Sequence, residues 1–115
     1  MPPNEPRRAL SGYRLMWLMV MFDLPVMTAP ERKAAMGFRK HLLDLGFEMT
    51  QFSVYLRFCS SHKQIQTLCK RIERGLPSGG RVNVLEFTDK QYERTRSYRG
   101  QAFAAPKTAE QFSLF

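Results

Sequence analysis

The sequence predicts a single α+β domain in which two helices cover one face of a mainly antiparallel sheet. Three observations carry the prediction. Residues Leu15 to Phe22 form an unbroken apolar run that closes on Asp23-Leu24-Pro25. Two later segments place apolar residues at helical spacing, and each is followed by a stretch with the residue types of a strand. The resulting order is strand, helix, strand or strand pair, helix, strand.

The first strand covers residues 14–23. A short run that is apolar on both alternating faces suits a strand covered from both sides, and Pro25 ends it because it lacks a ladder donor. Thr28 precedes Glu31 by three positions with Pro30 between them, the signature of a capped helix start. The helix predicted over residues 30–45 turns Ala35, Phe38, Leu42 and Leu45 to the sheet and Arg32, Lys33, Arg39 and Lys40 outward, and Gly46 stops it. The alternation then changes phase. Phe47 and Met49 occupy odd positions, whereas Phe52, Val54, Leu56 and Phe58 occupy even ones, so a bulge or tight turn near Thr50-Gln51 must absorb the slip. Residues 47–59 are thus one bent strand or a short pair.

Ser60 or Ser61 caps a second helix with Ile65, Leu68, Cys69, Ile72 and Leu76 as its buried stripe and Lys63, Lys70 and Arg74 outside; Pro77-Ser78-Gly79-Gly80 ends it. Residues 82–87 follow as a last core strand, after which Thr88-Asp89-Lys90 turns the chain away into a short segment bearing Arg94, Arg96 and Arg99. Together these elements make a βαββαβ, ferredoxin-like domain over residues 13–99. Residues 1–12, with three prolines and the pair Arg7-Arg8, are expected to be a disordered basic arm, and residues 100–115 a tail ending in Phe112, Leu114 and Phe115. One sheet face has no helix, yet the first strand is apolar toward it. A second copy, sheet to sheet in a symmetric homodimer, is the simplest cover.

Lys and Arg number 18 against 10 Asp and Glu, a formal charge of +8 over 115 residues. Twelve of the 18 are Arg, whose planar fork suits phosphate. A polyanionic partner is expected, and nucleic acid before a membrane surface, because the cations spread over several elements instead of one amphipathic face. The basic residues taken as phosphate contacts are Arg14, Arg32, Arg39, Arg94, Arg96 and Arg99. Such contacts favour backbone over base recognition and let a duplex lie across two copies. An RNA-recognition sheet is disfavoured, since no aromatic-rich strand of that type occurs. The eight-residue apolar run is too short to span a bilayer, and the first eleven residues do not resemble a secretion signal, so a cytoplasmic protein is expected. Cys59 and Cys69 lack ligand spacing and read as buried, reduced thiols.

No H-E-x-x-H, G-x-S-x-G or phosphate-loop pattern is present. His41 reads as a helix-surface or core-edge residue, and Glu86 and Asp89 as surface charges or turn formers. Asp23, delivered where the core meets water, can collect a metal ion, orient a nucleophile, or merely cap the turn. Mg²⁺ needs only one or two carboxylates beside water and phosphate oxygens, and a two-fold dimer would present Asp23 twice.

Phe22-Asp23-Leu24-Pro25, Gln51-Phe52-Ser53-Val54-Tyr55, the valine-rich stretch 82–87 and Thr88-Asp89-Lys90-Gln91, in this order over residues 14–100, resemble the CRISPR-associated protein two family. The last motif and the aromatic Leu-Phe ending resemble the branch that accompanies single-effector, RNA-guided DNA-cutting systems. The resemblance implies a homodimer that joins two dimers of the CRISPR integrase, protein one of the same system, and holds duplex DNA during spacer acquisition. It also implies a magnesium-dependent endonuclease acting on RNA or DNA. Asp23 matches the family's metal-binding and catalytic aspartate, and Ser53 a serine near its dimer cleft. Where many relatives carry an acid, this chain has Leu56. The scaffold and a stand-alone metal-dependent ribonuclease acting on single-stranded RNA are the two functions in competition.

Overall fold

In the computed structural model, which describes residues 15–100, the apolar run becomes β1 (Met16–Asp23), followed by α1 (Ala29–Asp44), β2 (Glu48–Gln51), β3 (Val54–Cys59), α2 (His62–Arg74), β4 (Arg81–Thr88) and the single turn α3 (Asp89–Tyr92). The basic arm, Arg14 and the tail beyond Gly100 lie outside the described residues. The strands run in the order β2-β3-β1-β4 and every neighbouring pair is antiparallel. This is the predicted ferredoxin-like α+β arrangement.

β1 holds the centre because alternate residues serve two layers. Leu18, Val20 and Phe22 are buried beneath the helices with Phe38 and Leu42 of α1, Ile65, Leu68 and Ile72 of α2, and Tyr55 and Cys59 of β3. Each large side chain so buried contributes on the order of 1.5–3 kcal/mol. Phe22 meets Phe38 edge-on at 5.2 Å between ring centroids and stacks on Tyr55 at 5.7 Å.

Local chemistry fixes the helix ends. Thr28 accepts from the Glu31 amide through its hydroxyl at 3.2 Å, while the Glu31 carboxylate accepts from the Thr28 amide at 2.9 Å, the capping box expected from the sequence. At the other end Gly46 adopts φ 89; its amide donates to the Leu43 carbonyl and that of Phe47 to the Leu42 carbonyl, each at 3.0 Å. Phe47 and Leu42, brought together by this glycine-dependent stop, are both buried. Ser61 caps α2 by accepting from the Gln64 amide at 3.1 Å.

The phase slip in residues 47–59 resolves as a hairpin. The β2–β3 register shifts between Met49 and Gln51, leaving Thr50 as the extra residue, and Phe52-Ser53 form the turn with Ser53 at φ 62. The conspicuous alternation of β3 belongs to the sheet face without helices. Val54, Leu56 and Phe58 pair with Met21, Met19 and Trp17 there, whereas Tyr55 and Cys59 point to the helices.

Three expectations need correction. Leu76 is not part of the buried stripe, because α2 ends at Arg74 and Leu76 is 47% exposed in the following loop. β4 is an edge strand among the described residues instead of a core strand; its β-branched residues pack from one side only, and Val84 is 41% exposed. Thr88-Asp89-Lys90 does not send the chain away. Thr88 and Gln91 form a second capping box, and the Asp89 amide donates to the Leu15 carbonyl at 2.9 Å, which turns α3 back beside the start of β1.

Burial pushes the Cys59 thiol above its usual range against the opposing pull of Arg57; burial, then Glu86, Glu73 and Cys59, does the same for half-buried Cys69. Both are free thiols, but only Cys59 is buried as expected; Cys69 is half-buried. Among the described residues no helix is long and apolar enough to cross a membrane.

Gly80 sits at φ 88, and a Cβ there would lie 2.7 Å from the Asp23 carbonyl oxygen. Gly80→Ala is therefore expected to cost about 1–3 kcal/mol in urea unfolding. Gly37→Ala, whose Cβ meets nothing within 4 Å on α1, should instead add about 0.5–1 kcal/mol. Equal responses at the two positions would contradict this packing.

Candidate functional site

Asp23 is exposed at the last position of β1. Two neighbours fix its backbone. On one side it pairs with Arg81, the first residue of β4; on the other, the Phe22 amide donates to the Ser53 carbonyl at 3.1 Å, which seats the β2–β3 turn against the same strand end. Gly80 closes from β4, where only a residue without a side chain fits against the Asp23 carbonyl. Among the described residues the Asp23 carboxylate has no hydrogen bond or ion pair. A rigidly anchored but unengaged carboxylate keeps its acceptor capacity for a ligand, so the turn-capping reading has no bond to support it.

The donor chemistry suits a hard cation in kind but not in number. Among the described residues no three His, Cys, Asp or Glu side chains gather around a metal position. Leu56, 7% exposed and flanked by Met19, supplies no second acid. One carboxylate per chain matches magnesium, which retains waters and recruits phosphate oxygens, and does not match an ion needing an all-protein cage.

A second feature lies on the helix-free face. Trp17, Met19 and Met21 of β1 stand in register with Phe58, Leu56 and Val54 on β3, and with Phe87, Leu85 and Asn83 on β4. The end nearest α3 is partly roofed. Tyr92 lies 4.4 Å from the Trp17 ring and 6.1 Å from Phe87, and Trp17 Nε1 donates to the Asp89 carboxylate at 2.8 Å. Between this roof and the β2–β3 hairpin runs a groove of about 880 Å³, floored by Met19, Val54, Leu56 and Phe87 and edged by Arg96 and Arg99.

The other sequence candidates are scattered. Arg96 and Arg99 reach the groove, and Arg94 is exposed just past α3. Arg32 is engaged: its guanidinium donates to the Val26 and Met27 carbonyls at 3.1 and 3.2 Å, bracing the loop after β1. Arg39 is half-buried on α1. Ser53 stands beside the Asp23 end through its backbone. Arg81 is the residue that sequence reasoning missed, and Asp89, read as a surface charge or turn former, also takes a bond from Trp17. Only the β1–β4 register aligns Arg81 with Asp23, and only the fold-back of α3 brings Asp89 to Trp17, 72 positions away.

A ferredoxin-like domain whose central strand ends in an exposed acid defines a class of small α+β proteins. The family model described as "CRISPR associated protein Cas2" matches residues 16–95, and the chain belongs to that family. A protein of Paracidovorax avenae named "CRISPR-associated endoribonuclease Cas2" is 61% identical over 107 residues, covering 92% of this chain and 99% of its own length. Proteins of the same name from Flavobacterium psychrophilum and a second, numbered one from Rhodospirillum rubrum are 44% and 39% identical, with 97% and 90% of this chain and 98% and 97% of the relatives covered.

Trp17 is the chain's one tryptophan and therefore reports on the roof. Asp89→Ala is expected to cost about 1–2 kcal/mol and to shift Trp17 emission to longer wavelength as α3 loosens. Unchanged emission would show that the Trp17 to Asp89 bond does not hold the roof.

Proposed function

We propose that the chain is a CRISPR-associated, magnesium-dependent endoribonuclease that acts as a homodimer, its site formed by Asp23 of two copies. The unengaged Asp23 carboxylate at the anchored end of β1 carries this reading. The names of the relatives support RNA as substrate. Asp23 of each copy would hold the ion. When bound, magnesium lowers the pKa of a coordinated water and neutralises charge on the scissile phosphate. The protein's part is to keep the carboxylate fixed, through the Arg81 pairing, the Ser53 contact and the close approach of Gly80. Dimerisation rests on the apolar helix-free face, where Leu85 remains 48% and Phe58 41% exposed.

A second role is favoured by a separate observation. Arg96 and Arg99 edge the groove on the helix-free face, and Arg94 lies exposed just past α3. Two copies would carry +16, which suits a scaffold that holds duplex DNA and joins the CRISPR integrase. The Thr88-to-Gln91 turn supports placing this scaffold in the single-effector branch.

Asp23→Asn separates the roles by removing charge and nearly keeping shape. RNA cleavage should fall on the order of a hundredfold or more while duplex binding persists. Undiminished cleavage would remove Asp23 from the site. Replacing Arg94, Arg96 and Arg99 by Ala should lower the salt dependence of duplex binding, by up to about three in the log–log slope. An unchanged slope would place the duplex on another surface.

A further inference from the structure

The end of the sheet aligns three different chemistries in one row. β1 pairs with β4 through Asp23 and Arg81. It pairs with β3 through Met21 and Val54, and the Phe22 amide continues that register to the Ser53 carbonyl. Phe52, the other residue of the β2–β3 turn, lies one position beyond that bond. Adjacent strands lie about 4.8 Å apart, so the turn residues, Asp23 and Arg81 occupy three neighbouring positions at one end of the sheet.

Phe52 is 88% exposed, the most exposed of the chain's described large apolar side chains. Its ring has no aromatic partner among the described residues, unlike Phe22, Phe58 and Phe87, which all pair with other rings. Ser53 at φ 62 makes the turn, so Phe52 lies outside the β3 strand whose alternation it continues in sequence. An exposed ring in a turn seated at the strand end that carries Asp23 and Arg81 is poorly suited to an apolar protein surface. It suits an unstacked base, whose π-face needs a flat partner and whose flanking phosphate needs a cation.

We infer that Phe52 is the stacking platform for one unpaired RNA base at the Asp23 site and that Arg81 holds a neighbouring phosphate. This rests on the endoribonuclease reading and adds the contact by which the site holds an unpaired base, since a paired base cannot present its face to the ring. Phe52 positions the strand, and Asp23 remains the residue directed at the reacting phosphate.

The test reads binding independently of cleavage. A single-stranded RNA carrying 2-aminopurine is titrated with the full-length chain in EDTA, where stacking on Phe52 quenches the fluorescence. Phe52→Ala should lose the quench and weaken affinity about tenfold, and Phe52→Trp should restore both. Arg81→Gln should keep the quench and lower the salt slope by about one. With magnesium, Phe52→Ala should raise KM about tenfold for single-stranded RNA and leave kcat within about twofold. Wild-type quench and affinity in Phe52→Ala would overturn the inference. A loss of quench accompanied by a changed sedimentation mass would also overturn it, since Phe52 would then serve contact between chains. Absence of RNA cleavage by the wild-type chain with magnesium would defeat the endoribonuclease reading alone and leave this binding result intact.

Discussion

β1 is apolar on both of its faces, but the helices cover only one. The covered side, through Leu18, Val20 and Phe22, forms the core. The other side lines up Trp17, Met19 and Met21 with apolar neighbours on β3 and β4, and a single turn of helix shelters only its Trp17 end. A second body on this surface would remove apolar area from water at roughly 25 cal/mol per Å² before the costs of association. The same strand that creates the need for cover also ends in Asp23. Pairing of chains and completion of the site therefore follow, in the account proposed here, from one strand.

The division of labour among the cations qualifies any argument from net charge alone. Arg32 braces the loop after β1, and Arg57, on the helix side, donates to the Phe58 carbonyl. Arg96 and Arg99 edge the groove, and Arg81 stands in the Asp23 row. These three, with the exposed Arg94, occupy positions where a phosphate would serve one of the proposed roles. Among the described residues, then, not every cation is available to a phosphate.

Most of the fold was legible because each element carries its own local signal. The Thr28–Glu31 capping box, the Gly46 stop and the phase slip at Thr50 all became the predicted structures. Features set by register or by long-range closure were not legible. Leu76 continues the spacing of α2, but Gly75 ends the helix first. The β-branched residues of β4 do not reveal that it lies on an edge. At the site, Asp23 was visible as an acid closing an apolar run, whereas Arg81 acquired meaning only through the Cα pairing between β1 and β4. The even-numbered alternation of β3 marked a real apolar face, and the structure shows that this face lies opposite the helices.

Sedimentation equilibrium over the concentration range in which the chain cleaves RNA tests the central claim most directly. The account requires a species of about twice the 13.4 kDa chain mass, reduced to one chain mass by Leu85→Glu on the exposed face. A single-chain mass for the active wild-type protein throughout that range would contradict it.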